Sequence, residues 1–198
     1  TITIVGKNSA PVITEKSLNS SNIGYTESNS AINQTINVLD VTDANVYDIV
    51  NGEVISGTYK VSNGTERAMT NAELAWLKMS NYQLLSRVQT TGDLSLLFNT
   101  DSETFNWLDS SQTLTLKYTV KATDDVPSNE LSDTQVVTIV ITGTNDTPVA
   151  VVDTATTAEN SSVTIDVLAN DTDADDTDTS SNFILLSTAP NAPTISTN

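Results

Sequence analysis

Between Thr113 and Val120 the chain alternates strictly. Leu114, Leu116, Tyr118 and Val120 fall on one face of an extended strand, and Thr113, Thr115, Lys117 and Thr119 on the other. A sheet with one face in a core has this pattern. Gln135 to Thr142 is a β-branched run that stops at Gly143. Weaker patterns of the same kind predict strands at 1–5, 12–15, 34–39, 54–61, 84–89, 93–98, 162–168 and 182–187. One short helix is predicted near 71–79: Thr70-Asn71-Ala72-Glu73 fits a capping box, and Leu74 and Leu77 follow on one face. Many short strands separated by Gly, Asn, Asp and Ser turns predict an all-β chain, an antiparallel Greek-key β-sandwich with the helix across one end. Trp76, Phe98, Phe105, Trp107 and Tyr118 are the expected large core residues.

The pattern starts twice. Thr1-Ile2-Thr3-Ile4-Val5-Gly6-Lys7-Asn8-Ser9-Ala10-Pro11-Val12 returns as Thr138-Ile139-Val140-Ile141-Thr142-Gly143-Thr144-Asn145-Asp146-Thr147-Pro148-Val149. Thr35-Ile36-Asn37-Val38-Leu39 returns as Thr164-Ile165-Asp166-Val167-Leu168, and Thr42-Asp43-Ala44-Asn45 as Thr172-Asp173-Ala174-Asp175. The expected organisation is the end of a preceding linker or strand at 1–9, one full sandwich at 10–145, a linker at 146–148, and the start of a second sandwich-like unit at 149–198. The ends are abrupt, as in a fragment of a longer chain. Residues 149–198 contain no Lys or Arg and are rich in Asp, so this segment is expected to be poorly ordered without a cation or further packing.

Composition narrows the chemistry. The net charge is −17, from 8 basic and 25 acidic residues, which disfavours nucleic acid and anionic membranes as partners. No stretch has the length and apolarity of a membrane-spanning helix. Cys and His are both absent. That removes disulfides, thiol catalysis, the usual general base and the commonest transition-metal ligand. Carboxylate and carbonyl oxygens remain plentiful, and they are the ligands of a hard cation such as Ca²⁺.

The acids gather near predicted strand ends. Asp171-Thr172-Asp173-Ala174-Asp175-Asp176-Thr177-Asp178 is the densest group, and alternation puts Asp171, Asp173 and Asp175 on one side. Like charges this close are unfavourable unless a cation or protons compensate. The run is not an EF-hand loop, since it lacks the Gly at position six and the Glu at position twelve. Calcium binding and a solvated acidic loop are the two readings of it. Glu27, Asp124, Asp125, Asn145 and Asp146 stand at other turns.

Two further function classes stay open on the residues. The 52–91 segment is the least repeat-like part and could hold a glycan or peptide pocket around Trp76 and Tyr82, although Trp76 is also a natural core residue. A glycosidase built on paired carboxylates is the enzymatic option that survives without Cys or His, but no two acids sit in an evident apolar setting, and no enzymatic activity is expected.

Gly92-Asp93-Leu94, Phe98, Leu114 to Val120, Ala122-Thr123-Asp124-Asp125 and the Thr142-Gly143-Thr144-Asn145-Asp146-Thr147-Pro148-Val149 ending resemble a VCBS repeat, a cadherin-like or Ig-like module of large bacterial RTX-type surface adhesins. Asp166-Val167-Leu168-Ala169-Asn170-Asp171-Thr172-Asp173 resembles the start of a second cadherin-like tandem repeat. The resemblance implies a monomeric, calcium-rigidified extender of a secreted adhesin, exported by type I secretion, held at the cell surface and used in attachment and biofilm formation. Its partners would be neighbouring repeats of the same chain and a cell-surface glycan or protein. By position it implies Ca²⁺ ligands at Glu27, Asp124, Asp125, Asn145, Asp146, Asp171 and Asp173, joined by Asp175 of the acidic run. The upstream link reads Lys7-Asn8-Ser9 instead of Thr-Asn-Asp, so a site at Asn8, Asp40 and Asp43 is not expected.

Overall fold

A computed structural model describes residues 2, 6–17, 21–179 and 183. The chain divides into two compact units, Thr1–Thr144 and Asn145–Asn198.

The first unit is a β-sandwich. One sheet joins β1 (Val12–Glu15), β3 (Asn33–Thr42), β8 (Thr91–Asn99) and β6 (Leu77–Met79) in the order β1-β3-β8-β6. The other joins β2 (Asn22–Thr26), β10 (Ser132–Thr142), β9 (Thr113–Asp124), β4 (Val50–Val61) and β5 (Arg67–Ala68), with β7 (Gln83–Leu85) also on β4. All pairs are antiparallel except β2 with β10, where Asn22 lies opposite Thr138 in a parallel ladder. The second sheet is therefore mixed.

The predicted alternation in β9 is real: Leu114, Leu116, Tyr118 and Val120 have no exposed surface. They meet Leu39, Leu94, Leu96 and Phe98 of the opposite sheet in one apolar cluster. Phe98 packs against rings from the facing sheet, 5.8 Å from Tyr25 and 6.4 Å from Tyr118. Phe105 is buried too, while Trp76 and Trp107 pack against the cluster from its margin.

The helix is shorter than predicted. α1 spans Asn71–Leu74, capped by Thr70, with the Glu73 side chain returning to the Thr70 amide. Leu77 joins β6 instead, because pairing with Phe98 satisfies its backbone and buries its side chain. Strands β2, β5 and β6 were not predicted; each is short, and β2 and β5 hold no buried apolar residue.

In the second unit, the described residues form one isolated antiparallel bridge, Val149 to Thr172. The strand predicted at 162–168 is absent. Asp166 instead accepts the Leu168 amide at 3.3 Å and the Ala169 amide donates back to the Asp166 carbonyl at 3.4 Å, so the chain turns where an extended strand would need a ladder partner. The strands predicted at 1–5 and 182–187 fall on residues outside those described, apart from Ile2 and Phe183.

Candidate metal centre

At one end of the first sandwich three segments converge: the residues before β1, the β3–β4 connection, and the end of β9. The connection Asp43 to Asp48 is folded by its own polar groups. The Asn45 amide donates to Asp43 Oδ1 at 2.8 Å, and the Asp48 amide to the Asn45 carbonyl at 3.1 Å. Asn45 Oδ1 accepts the Ser9 amide at 3.0 Å, which ties the segment entering β1 to this loop. Asn8 Nδ2 donates to Asp124 Oδ2 at 2.9 Å and to the Asn129 carbonyl at 2.8 Å.

These ties bring Asp43, Asp48 and Asp124 together, each offering one carboxylate oxygen within 4.8 Å of the others. Asp43 and Asp124 are only 3% and 2% exposed. Asp43 Oδ2, Asp48 Oδ2 and Asn8 Oδ1 are buried with no hydrogen-bond partner. An unpaired buried polar atom is costly, and an unpaired carboxylate oxygen more so. The strain appears as raised proton affinity. Burial pushes the Asp43 carboxyl up, and the Asp124 charge pushes it further. Burial also raises Asp48, followed by the charges of Asp43, Asp124 and Asp125, with Arg87 opposing.

The donor set fits Ca²⁺. All the atoms are oxygens, three come from carboxylates, and their mutual reach matches ligands at about 2.3–2.6 Å from a shared ion. Thiolate- or imidazole-seeking metals have nothing here to select them.

The second unit carries a similar group. Asp173, Asp175 and Asp178 also offer oxygens within 4.8 Å of one another. Asp175 Oδ2 accepts the Asp146 amide at 2.9 Å, and Asp173 Oδ1 accepts the Asp175 amide at 3.0 Å. Asp175 is 2% exposed, yet its Oδ1 has no partner, and neither has the buried Oδ2 of Asp146. Burial raises the Asp175 carboxyl, and the charges of Asp173, Asp146 and Asp178 add to the effect, against the Asp146 amide.

The sequence-predicted residues thus divide. Asp124 joins the first group; Asp173 and Asp175 belong to the second, and Asp146 is tied to it through its amide. Asp125 lies beside the first group but is otherwise engaged, accepting the Ile49 amide at 2.8 Å with Arg87 at 3.7 Å. Asp171 accepts the Val151 amide at 2.8 Å, outside the Asp173 group. Asn145 is exposed and donates to the Asp146 carbonyl.

Glu27 stands apart from Asp124. Its amide donates to the Thr142 carbonyl at 2.9 Å, and its carboxylate accepts the Thr144 amide at 2.9 Å. It therefore sits at the Thr142 end of β10, whereas Asp124 follows Thr123, which pairs with Ser132 at the other end. The length of β9, roughly 35 Å at about 3.3 Å per residue, separates them. Glu27 and Asp124 cannot share one ion.

A correction concerns the upstream link. Asn8 and Asp43 do take part in the first group, although Lys7-Asn8-Ser9 departs from the expected pattern. Asp40 does not: it lies on β3 with Lys16 at 3.5 Å. Asp48 went unpredicted and Asp178 was named only as part of the acidic run, yet the signal was there. The repeat extends from Thr42-Asp43-Ala44-Asn45-Val46-Tyr47-Asp48 to Thr172-Asp173-Ala174-Asp175-Asp176-Thr177-Asp178, with acids matched at the last position.

In the 52–91 segment, Trp76 is half-buried and meets Phe105 edge-on at 5.5 Å, which is core packing. Tyr82 is 68% exposed and lines a cleft of about 260 Å³ with Asn51, Glu53 and Lys121. Among the described residues no helix is long and apolar enough to cross a membrane.

Fold and site together define a β-sandwich whose end is lined by unsatisfied carboxylate oxygens. The bacterial Ig domain family matches residues 145–198. Solved structures of similar shape include a PapD-like domain of human CEP192 (12% identity, 72% of this chain and 92% of that one, TM-score 0.40). They also include AggA, the major subunit of Escherichia coli aggregative adherence fimbriae type I (10% identity, 72% and 99%, TM-score 0.35). A third is the YadV chaperone (8% identity, 68% and 52%, TM-score 0.33). No curated protein sequence matches the chain.

Proposed function

We propose that the chain is a non-enzymatic spacer of a secreted bacterial surface adhesin, stiffened by Ca²⁺. The observation that carries this reading is the set of buried oxygens without partners on Asn8, Asp43 and Asp48, packed beside Asp124. Carboxylates left facing one another repel; a divalent cation supplies the charge they lack. Asn8 belongs to the segment that enters β1, so an ion held here pins the incoming chain to the end of the sandwich. Asp146 has the same place before the Val149 bridge of the second unit. Neighbouring repeats of the same chain would be joined through such pinned segments, and cell-surface attachment would be the purpose of the array. The bacterial Ig match supports the surface setting.

Thermal unfolding in 10 mM Ca²⁺ and in chelator tests the reading. Extracellular sites of this kind have dissociation constants of roughly 10⁻⁴–10⁻³ M. Saturation then adds about 1.4–2.7 kcal/mol to a folded unit, several degrees in Tm. Asp43→Asn should abolish the first unit's share of that gain. Superimposable curves in Ca²⁺ and chelator would refute the proposal.

A further inference from the structure

The two acid loops are two copies of one device. In each, the residue two positions after the first Asp returns its amide to that Asp: Asn45 to Asp43 at 2.8 Å, Asp175 to Asp173 at 3.0 Å. Three residues later each loop closes with an Asp amide donating to that residue's carbonyl, Asp48 to Asn45 at 3.1 Å and Asp178 to Asp175 at 3.2 Å. The side chain of Asn45 accepts the Ser9 amide at 3.0 Å, and that of Asp175 accepts the Asp146 amide at 2.9 Å. The residue before each loop pairs with the start of its unit, Thr42 with Val12 and Thr172 with Val149.

The copies differ in charge at two matched positions. Ser9 and Asn45 in the first correspond to Asp146 and Asp175 in the second. Asn45 uses its one oxygen on Ser9, so its other terminal atom is an NH₂, which cannot ligate a cation. Asp175 uses one oxygen on Asp146 and keeps Oδ1 buried and unpartnered, 2% of the residue being exposed. Asp146 adds a second orphaned oxygen. The first loop therefore draws on Asp43, Asp48, Asp124 and the neutral Asn8. The second draws on Asp173, Asp175 and Asp178, and the orphaned Oδ2 of Asp146, whose amide Asp175 holds, offers a further charged oxygen where the first loop offers only the neutral Asn8.

We infer that the two loops form a graded pair of Ca²⁺ sites, the second unit's site filling at lower calcium than the first. This rests on the calcium reading above and adds the order and its cause. Affinity for Ca²⁺ rises with the number of charged ligands, and one more carboxylate is expected to separate the sites by about tenfold. The residue that sets the difference is Asn45 in one loop and Asp175 in the other.

The test is a Ca²⁺ titration of the full chain followed by amide NMR at neutral pH, reading Asn45 and Asp48 for one loop and Asp175 and Asp178 for the other. The second loop should reach its midpoint at about a tenth of the calcium the first requires. Two nearly isosteric swaps keep the acceptor that holds each loop closed. Asn45→Asp should tighten the first site about tenfold, and Asp175→Asn should weaken the second by as much. Equal midpoints, a reversed order, or swaps that leave both midpoints in place would overturn the grading while leaving calcium binding intact. No saturable shift at either loop in 10 mM Ca²⁺ would overturn both the grading and the calcium reading.

Discussion

Asp43 uses one carboxylate oxygen to hold the Asn45 amide and keeps the other buried without a partner. Asp175 is in the same position with the Asp146 amide, Asp48 Oδ2 is likewise buried without a partner, and the proton affinity of all three is raised chiefly by burial. In chelator this has a definite sign. A carboxyl whose folded pKa lies above its unfolded value of about 3.8 binds more protons in the native state through the interval between them, so stability is gained as pH falls into that interval and lost as pH rises out of it. Metal-free protein should therefore gain Tm as pH falls from neutral toward the ordinary carboxylate range, and saturating Ca²⁺ should remove or reverse the trend. A metal-free Tm that falls steadily on acidification would show that these carboxyls are not strained. The acids of the loops were legible from sequence as a repeated Thr-Asp-Ala pattern. The role of Asp124 as partner to Asp43 was not, because residues 81 positions apart meet only once β3 and β9 have been placed in facing sheets.

Strands with a strict alternation were readable because one face is buried and a slip by one residue would turn every apolar side chain outward. β9 and β10 kept their predicted cores and grew by a few residues at one end: β9 runs on to Asp124, and β10 begins at Ser132. Strands β2, β5 and β6 carry no such signal; they are recruited by an existing edge, β2 along β10, β5 along β4 and β6 along β8. The helix was legible at its start, from the Thr70 cap, but not at its end, because Leu77 fits a helical face and a strand equally well. Gly143, which looked like a simple stop for β10, is a point of close approach. A Cβ there would collide with the carbonyl oxygens of Leu108 and Asp109, while its amide donates to the Gln112 carbonyl at 3.1 Å. Backbone cannot yield as a flexible side chain can. Gly143→Ala should cost about 2–3 kcal/mol in chemical denaturation, whereas Gly24→Ala, with open space at its Cβ, should cost under 1 kcal/mol. Equal losses at both positions would mean that the 108–109 turn moves freely.

The two units draw on different sources of stability. The first buries Leu39, Leu94, Leu96, Phe98 and Tyr118 completely, a core that calcium does not touch. In the second unit, Asp175 is the one buried side chain among the described residues, and Val149, Val151, Val152, Val163 and Ile165 are exposed. There the loop is held by the Val149–Thr172 bridge and by hydrogen bonds onto carboxylates that repel one another. A ligand that binds only the folded form stabilises by mass action, and calcium at ten times the dissociation constant lowers the population of the open form about tenfold. Hydrogen exchange should therefore respond unequally. Amides of β9 and β10 deep in the first sandwich should be strongly protected already in chelator, because the apolar core limits their opening, and gain in 10 mM Ca²⁺ only the factor that the first unit's site adds to global stability. Amides of Asp146, Val149, Thr172 and Asp175 should be weakly protected in chelator and gain about tenfold or more with calcium. Those of Asn45 and Asp48 start from weaker protection than the strands behind them and should gain at least as much. Uniform protection of both units with and without the ion would mean that carboxylate repulsion is relieved within the chain itself, and that calcium is not what holds the second loop closed.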